Sequence, residues 1–215
     1  IEDTQMRNND NQSRFYNAAM HGSVDALNDL IGSLGRDNGV DIDHQNTKGC
    51  TAFYIAALFR HEKAMRFLID NGADIDLPNH QGETPFWSAA LTRHFYIMKF
   101  LIDNGVDINR PKNNGSTPLL VAAIQGYVYD MELMLESGAN INQYNVARQN
   151  PFYQVLTRGN VPATQLFLKH GASPYLTRDF PQDLSDDVDD LLQDYRAKDK
   201  EWNVKKSEIY IDTLT

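Results

Sequence analysis

A single cysteine, Cys50, stands in 215 residues, which excludes a disulfide framework and a cysteine-rich zinc site. No apolar run approaches the roughly 20 residues of a membrane helix, because charged residues interrupt every window. A basic segment followed by an apolar stretch is missing too, so no secretory signal is visible. Cations are in short supply: 20 Lys+Arg face 29 Asp+Glu, a formal net charge of -9. That balance disfavours broad contact with a phosphate backbone, which needs clustered Lys and Arg. No Gly-rich phosphate loop, Ser-His-Asp pattern or H-E-x-x-H occurs. These absences point away from an enzyme, a cofactor, a small-molecule substrate, a nucleic-acid partner and membrane insertion. The expected location is intracellular: cytoplasm, or nucleus. A first residue Ile suits a processed chain or a segment of something longer. With 41% hydrophobic residues and 13 Gly, the chain has the apolar share of a folded protein.

What is present is a period. T-A-F-Y-I-A-A begins at Thr51, T-P-F-W-S-A-A at Thr84 and T-P-L-L-V-A-A at Thr117, each 33 residues after the last. A degenerate copy, N-P-F-Y-Q-V-L, begins at Asn150 after another 33. A second motif keeps the same step: G-V-D-I-D at Gly39, G-A-D-I-D at Gly72, G-V-D-I-N at Gly105, G-A-N-I-N at Gly138, and the variant G-A-S-P-Y at Gly171. Upstream, S-R-F-Y-N-A-A at Ser13 opens one more unit, with five residues inserted near Gly32–Asn38. Two motifs that agree on one period mark a repeat architecture.

Within each unit the apolar spacing is helical. Phe15/Ala18/Ala19, Phe53/Ala56/Ala57, Phe86/Ala89/Ala90 and Leu119/Ala122/Ala123 are i, i+3, i+4 triplets of a first helix. Leu27/Leu30/Ile31, Met65/Leu68/Ile69, Met98/Leu101/Ile102, Met131/Met134/Leu135 and Thr164/Phe167/Leu168 repeat the spacing in a second. Thr51, Thr84 and Thr117 sit where an N-cap belongs, with Pro85, Pro118 and Pro151 at the first helical position. The Gly at 72, 105, 138 and 171 suits a left-handed C-terminal cap. The polar residues that follow read as a protruding hairpin or loop.

The 33-residue unit with T-P-x-x-x-A-A and G-A-D-I-N resembles the ankyrin repeat. The resemblance covers residues 8–177 as five units, 8–45, 46–78, 79–111, 112–144 and 145–177, behind a lead-in at 1–7. It implies an all-α solenoid of stacked helix–turn–helix units with protruding hairpin loops. Two departures from the family pattern stand out. Where the family has His as the fourth residue of T-P-L-H, this chain has Tyr16, Tyr54, Trp87, Leu120 and Tyr153. Cohesion between units then rests more on packed aromatic surface. The Gly expected before the second helix is Arg60 and Arg93 in two units, which suggests a tighter or helical turn there.

Beyond the period, Pro181 and a candidate N-cap at Ser185 precede Val188/Leu191/Leu192/Tyr195, again on one helical face. Asp186, Asp187, Asp189 and Asp190 load the helix start, where the macrodipole favours negative charge. The preferred reading of 178–200 is a C-terminal capping helix over the fifth unit; the alternative is an acidic docking helix for a basic partner. Residues 201–215, with an alternating stretch from Glu208 to Leu214, read as a tail or a linker to a missing domain. Positions 179–195 hold seven Asp and no Lys or Arg, so this segment carries much of the acidity.

Several reactive-looking residues have plainer explanations. Asp41 with Asp43, and Asp74 with Asp76, look like paired metal-binding carboxylates, but they recur at the repeat period and read as parts of the turn. Cys50 near His80 or His44 lacks any nucleophile context. His61 and His94 hold equivalent positions before successive second helices, which argues a structural role.

Binding is the function the resemblance implies, through the hairpin tips and the surface of the first helices. Carried over by position, the first-helix set is Met20 and His21, Leu58 and Phe59, Leu91 and Thr92, Ile124 and Gln125, then Thr157 and Arg158. If exposed, the row Met20, Leu58, Leu91, Ile124 forms an apolar stripe with Phe59 beside it; the competing reading half-buries it under neighbouring hairpins. The hairpins add Lys48, then His80, Gln81 and Glu83, then Asn113 and Asn114, then Tyr144 and Gln149 as a polar rim. The expected activity is non-catalytic binding of a protein or peptide on the concave face. The alternative is one domain of a larger protein that docks its own catalytic domain. The 19 Asn would suit an effector from an AT-rich bacterium acting in a host cytosol; a eukaryotic cytosolic or nuclear protein fits equally.

Overall fold

The computed structural model describes residues 2–32, 40–173 and 183–198. The five-residue insertion expected near 32–38 falls almost wholly outside them, as do 178–182 and the alternating stretch 208–214. Ten helices form five successive pairs: α1 (Glu2–His21) with α2 (Val24–Gly32), α3 (Ala52–Leu58) with α4 (Glu62–Asp70), α5 (Pro85–Leu91) with α6 (Phe95–Asp103), α7 (Pro118–Gln125) with α8 (Val128–Glu136), and α9 (Pro151–Thr157) with α10 (Val161–Lys169). An eleventh, α11 (Asp186–Lys198), follows. No strand forms among the described residues. Among the described residues the connections between pairs contain turns whose backbones bond from one unit to the next. Helix α1 starts at Glu2 and runs through Ser13 without a break, so the first unit is longer at its front than its successors.

Local chemistry sets the helix ends. Thr51, Thr84 and Thr117 accept hydrogen bonds through their hydroxyls from the N–H of Tyr54, Trp87 and Leu120, and Asn150 caps α9 through Tyr153. Pro85, Pro118 and Pro151 open their helices, where a missing N–H removes no bond. Gly72, Gly105, Gly138 and Gly171 all adopt positive φ just after the second helices. The turn between paired helices behaves differently from the sequence expectation. Arg60 and Arg93 take φ 64 and 60, the left-handed conformation that Gly22, Gly126 and Gly159 adopt at the equivalent place. The turn is therefore neither tighter nor helical. Arginine is held in the geometry the repeat imposes, against a cost of roughly 1–2 kcal/mol for a residue with a Cβ.

First helices stack on one another in order, α1 on α3, α3 on α5, α5 on α7 and α7 on α9, while each also packs its own second helix. The paired alanines Ala56/Ala57, Ala89/Ala90 and Ala122/Ala123 are buried at these contacts, and their small side chains let the helices approach. Behind them Phe53, Phe86, Leu119 and the methionines Met65, Met98 and Met131 fill the space between layers. Helix α11 packs on α10 and buries Val188 and Leu192 completely, with Leu191 and Tyr195 partly covered. At its N-terminal end Asp186, Asp187 and Asp190 are exposed and Asp189 is half-buried.

The repeated D-I-D and N-I-N motifs form a ladder. Asp43 Oδ1 accepts the N–H of Asp74 at 2.9 Å, Asp76 Oδ2 that of Asp107 at 3.1 Å, and Asn109 Oδ1 that of Asn140 at 2.7 Å. Asp74, Asp107 and Asn140 in turn accept from the backbone two residues on. The paired carboxylates are thus rungs between units. Burial pushes the Asp76 carboxyl above its ordinary range, with Asp107 and Asp74 adding repulsion against a partial offset from the Asp107 hydrogen bond and Arg110. A carboxyl raised on folding stabilises the fold most below its unfolded value of about 3.9, and that contribution is lost as pH rises through the raised value. Because Asn109 makes the same rung with an amide, Asp76→Asn keeps the acceptor and removes the charge. The variant is expected to melt above the wild type at pH 7 by roughly a few tenths of a kcal/mol. The gap should close as pH falls toward 4, and thermal melts across that range test it.

Candidate functional site

The surface that the repeats build has two edges, the C-terminal ends of the first helices and the tips of the inter-unit turns. Three of the four turns are shaped by an asparagine whose side-chain oxygen accepts two backbone N–H groups: Asn46 from Lys48 and Cys50, Asn79 from Gln81 and Glu83, and Asn145 from Ala147 and Gln149. The remaining turn has Lys112 at that position, and Asn114 Oδ1 accepts the Ser116 N–H instead. Neighbouring tips then bond through the main chain. His80 donates to the Lys48 carbonyl at 3.1 Å, Asn113 to Gln81 at 3.0 Å and Val146 to Asn114 at 3.0 Å. The tips are consequently one continuous edge rather than separate loops.

Beneath that edge the residues that replace the expected histidine do more than pack. The Tyr54 hydroxyl bonds Ser88 of the next unit and receives the Asn79 amide at 3.2 Å. Trp87 Nε1 donates to the Ser116 carbonyl at 2.9 Å, across a unit boundary. Tyr16 donates to the His44 carbonyl at 2.7 Å. Burial raises the Tyr16 hydroxyl to about 12, so it stays a donor at any physiological pH. At Tyr16, Tyr54 and Trp87 cohesion therefore combines aromatic area with a hydrogen-bonded polar tip. Leu120, with no polar tip, is simply buried. Lys112 lies 4.3 Å over the Trp87 ring and pairs with Glu83 at 3.3 Å.

The eighteen residues singled out from sequence fall into three groups; among the polar ones, Thr157 is exposed and Gln149 half-buried. Leu58, Phe59 and Leu91 are exposed, at 38%, 46% and 39%, while Met20 and Ile124 at the ends of the row are half-buried. The polar members His21, Lys48, His80, Gln81, Thr92, Asn113, Asn114, Gln125 and Arg158, and the aromatic Tyr144, are exposed. Glu83 is half-buried and already engaged by Lys112 and by Asn79, whose amide donates to it at 2.9 Å. The Phe59 ring stacks on His61 at 6.5 Å, and His61 Nε2 bonds the Met20 carbonyl at 2.8 Å. That histidine ties the first unit to the second and holds Phe59 in place.

Chemistry is scarce on this surface. Burial pushes the Cys50 thiol up, only partly offset by Lys48, which keeps it protonated and weakly nucleophilic. Among the described residues no group of three or more His, Cys, Asp or Glu could hold a metal ion. No described helix is long and apolar enough to cross a membrane. Sequence reading missed three exposed residues: Val146 at the last tip, and Tyr96 and Tyr129 on α6 and α8. The tyrosines lie one period apart. An aromatic recurring at an otherwise polar position of the second helix was the available signal.

The family model described as ankyrin repeats (3 copies) matches residues 15–112 and 72–145. Among curated proteins, none matches this chain. Ankyrin repeats are modules for protein–protein interaction. With the stacked helix pairs, the capped turns and a family match over more than half its length, the chain belongs to the ankyrin-repeat family.

Proposed function

We propose that residues 8–177, closed by the helix within 178–200, form a non-catalytic module that binds a protein or peptide along the groove between the first helices and the turn tips. The observation that carries this reading is the run of Leu58, Phe59 and Leu91. Three large apolar side chains lie exposed on two neighbouring units, Leu58 and Phe59 on the second and Leu91 on the third, beside a row of polar tips. Leaving such a patch in water costs about 25 cal/mol per Å² of apolar area that a partner could cover. Met20 and Ile124 extend the patch at half exposure. His21, Lys48, His80, Gln81, Thr92, Asn113, Asn114, Gln125, Tyr144 and Arg158 supply the rim, where hydrogen bonds set orientation more than affinity.

Central apolar anchors carry most of the energy of such surfaces. In the double variant Phe59→Ala, Leu91→Ala, affinity for a partner recovered by crosslinking to the intact protein is expected to fall at least 100-fold. Both side chains are partly in water, so far-ultraviolet circular dichroism and the melting temperature should change little. Undiminished binding by the folded variant would place the partner on another face. Crosslinks confined to this polypeptide itself would favour an array that docks its own chain. An intracellular location accords with binding a protein partner, and fractionation of cells that express the protein tests it.

A further inference from the structure

Away from the groove, on the layer of second helices, a cavity of about 420 Å³ opens between α6 and α8. Its walls carry Phe95, Tyr96, Tyr129 and Leu133, and its acidic groups are Asp130, Glu132 and Glu136. Tyr96 and Tyr129 are 82% and 73% exposed, an unusual place for two large rings. Asp130 is the opposite case: it is 2% exposed, yet its Oδ2 has no hydrogen-bond partner. A buried carboxylate without its full set of donors is costly, and burial raises its proton affinity while Arg93 lowers it. Arg93, the one cation on the walls, holds its guanidinium 5.1 Å over the Tyr127 ring and makes no ion pair with Asp130 within 4 Å. Three carboxylates against one guanidinium leave the cavity with an excess of negative charge.

We propose that this cavity is a second recognition site, which takes an arginine side chain from a partner peptide. An incoming guanidinium pairs with Glu132 and Glu136, lies against the rings of Tyr96 and Tyr129, and sets its charge beside Asp130, whose buried Oδ2 gains a donor once the side chain turns toward the cavity. Arginine fits better than lysine because its planar fork pairs with a carboxylate through two bonds and stacks on aromatic faces. Lysine offers a compact charge with a tighter hydration shell. The site is independent of the groove, since none of its walls comes from a first helix or a turn tip.

The test uses the full chain, isotope-labelled, and three otherwise neutral heptapeptides with arginine, lysine or citrulline at the centre, followed by nuclear magnetic resonance titration in 150 mM salt. The arginine peptide should give saturable shifts clustered on α6 and α8. Citrulline, which has nearly the same shape and no charge, should bind at least tenfold more weakly, and lysine at least threefold. Asp130→Asn should lower arginine-peptide affinity at least tenfold. Should that variant unfold, Tyr96→Ala with Tyr129→Ala removes only exposed rings and should lower it at least fivefold. Phe59→Ala with Leu91→Ala should leave it unchanged. No saturable binding, equal binding of citrulline or lysine, shifts centred on the first helices, or full affinity in the folded cavity variants would each overturn the assignment.

Discussion

Replacing Trp87 by alanine is expected to remove about 3–5 kcal/mol of stability, the range for truncating a large buried aromatic. The ring is almost wholly covered at the contact of the third and fourth units. Its loss opens a cavity, strips the Ser116 carbonyl of its Nε1 donor and leaves Lys112 without the face it covers. At about 2–4 °C per kcal/mol for a chain of this size, the midpoint should fall on the order of 10 °C. Trp87→Phe separates the causes, because it keeps most of the area and loses only the indole donor; about 1–2 kcal/mol is expected there. Equal losses from the two variants would show that the hydrogen bond, not the packed area, holds the units together. Urea titration followed by circular dichroism measures both.

Gly49→Ala should cost about 2–4 kcal/mol, although it adds one methyl group. Gly49 has φ 79, where a side chain is disfavoured by roughly 1–2 kcal/mol. An added Cβ would also stand 2.4 Å from the backbone nitrogen of His80, inside any allowed contact. Relief requires the next turn to move, which breaks the His80 bond to the Lys48 carbonyl and disturbs the tip edge that borders the groove. The chain contains its own control. Arg148 occupies the corresponding place in the fifth unit at φ 58, and no further turn tip follows it among the described residues. Arg148→Gly is accordingly expected to be neutral or slightly stabilising, since only local strain is relieved. A Gly49→Ala protein that melts within 2 °C of the wild type would refute the steric account.

These two positions show how legible the site was. The 33-residue step placed Leu58, Leu91 and the turn residues correctly in register, because each unit's own side chains fix its caps and turns. It could not rank their exposure. Leu58 and Leu91 share a row with Met20 and Ile124, yet the first two are exposed and the other two half-buried. The two exposed leucines stand in the units whose following turn carries Arg60 and Arg93, the two half-buried residues in those with Gly22 and Gly126, a difference the sequence shows but does not translate into exposure. Tyr96 and Tyr129 recur one period apart outside the apolar triplets of the second helices, which was legible in the sequence; their exposure is what the packing adds.

Sequence alone determined the period, the all-α unit, the threonine and proline caps and the apolar faces, since these follow from interactions between residues a few positions apart. Tertiary structure decided what depends on the unit next door. It holds Arg60 and Arg93 in a conformation otherwise filled by glycine, gives Tyr54 and Trp87 hydrogen-bond partners 34 and 29 residues away, and turns the aspartates into rungs. It also buries Asp130 without a partner for one oxygen. In a stack of repeats each unit is closed only by its neighbours, so the local pattern names the fold while the contacts between units decide which residues remain free to bind.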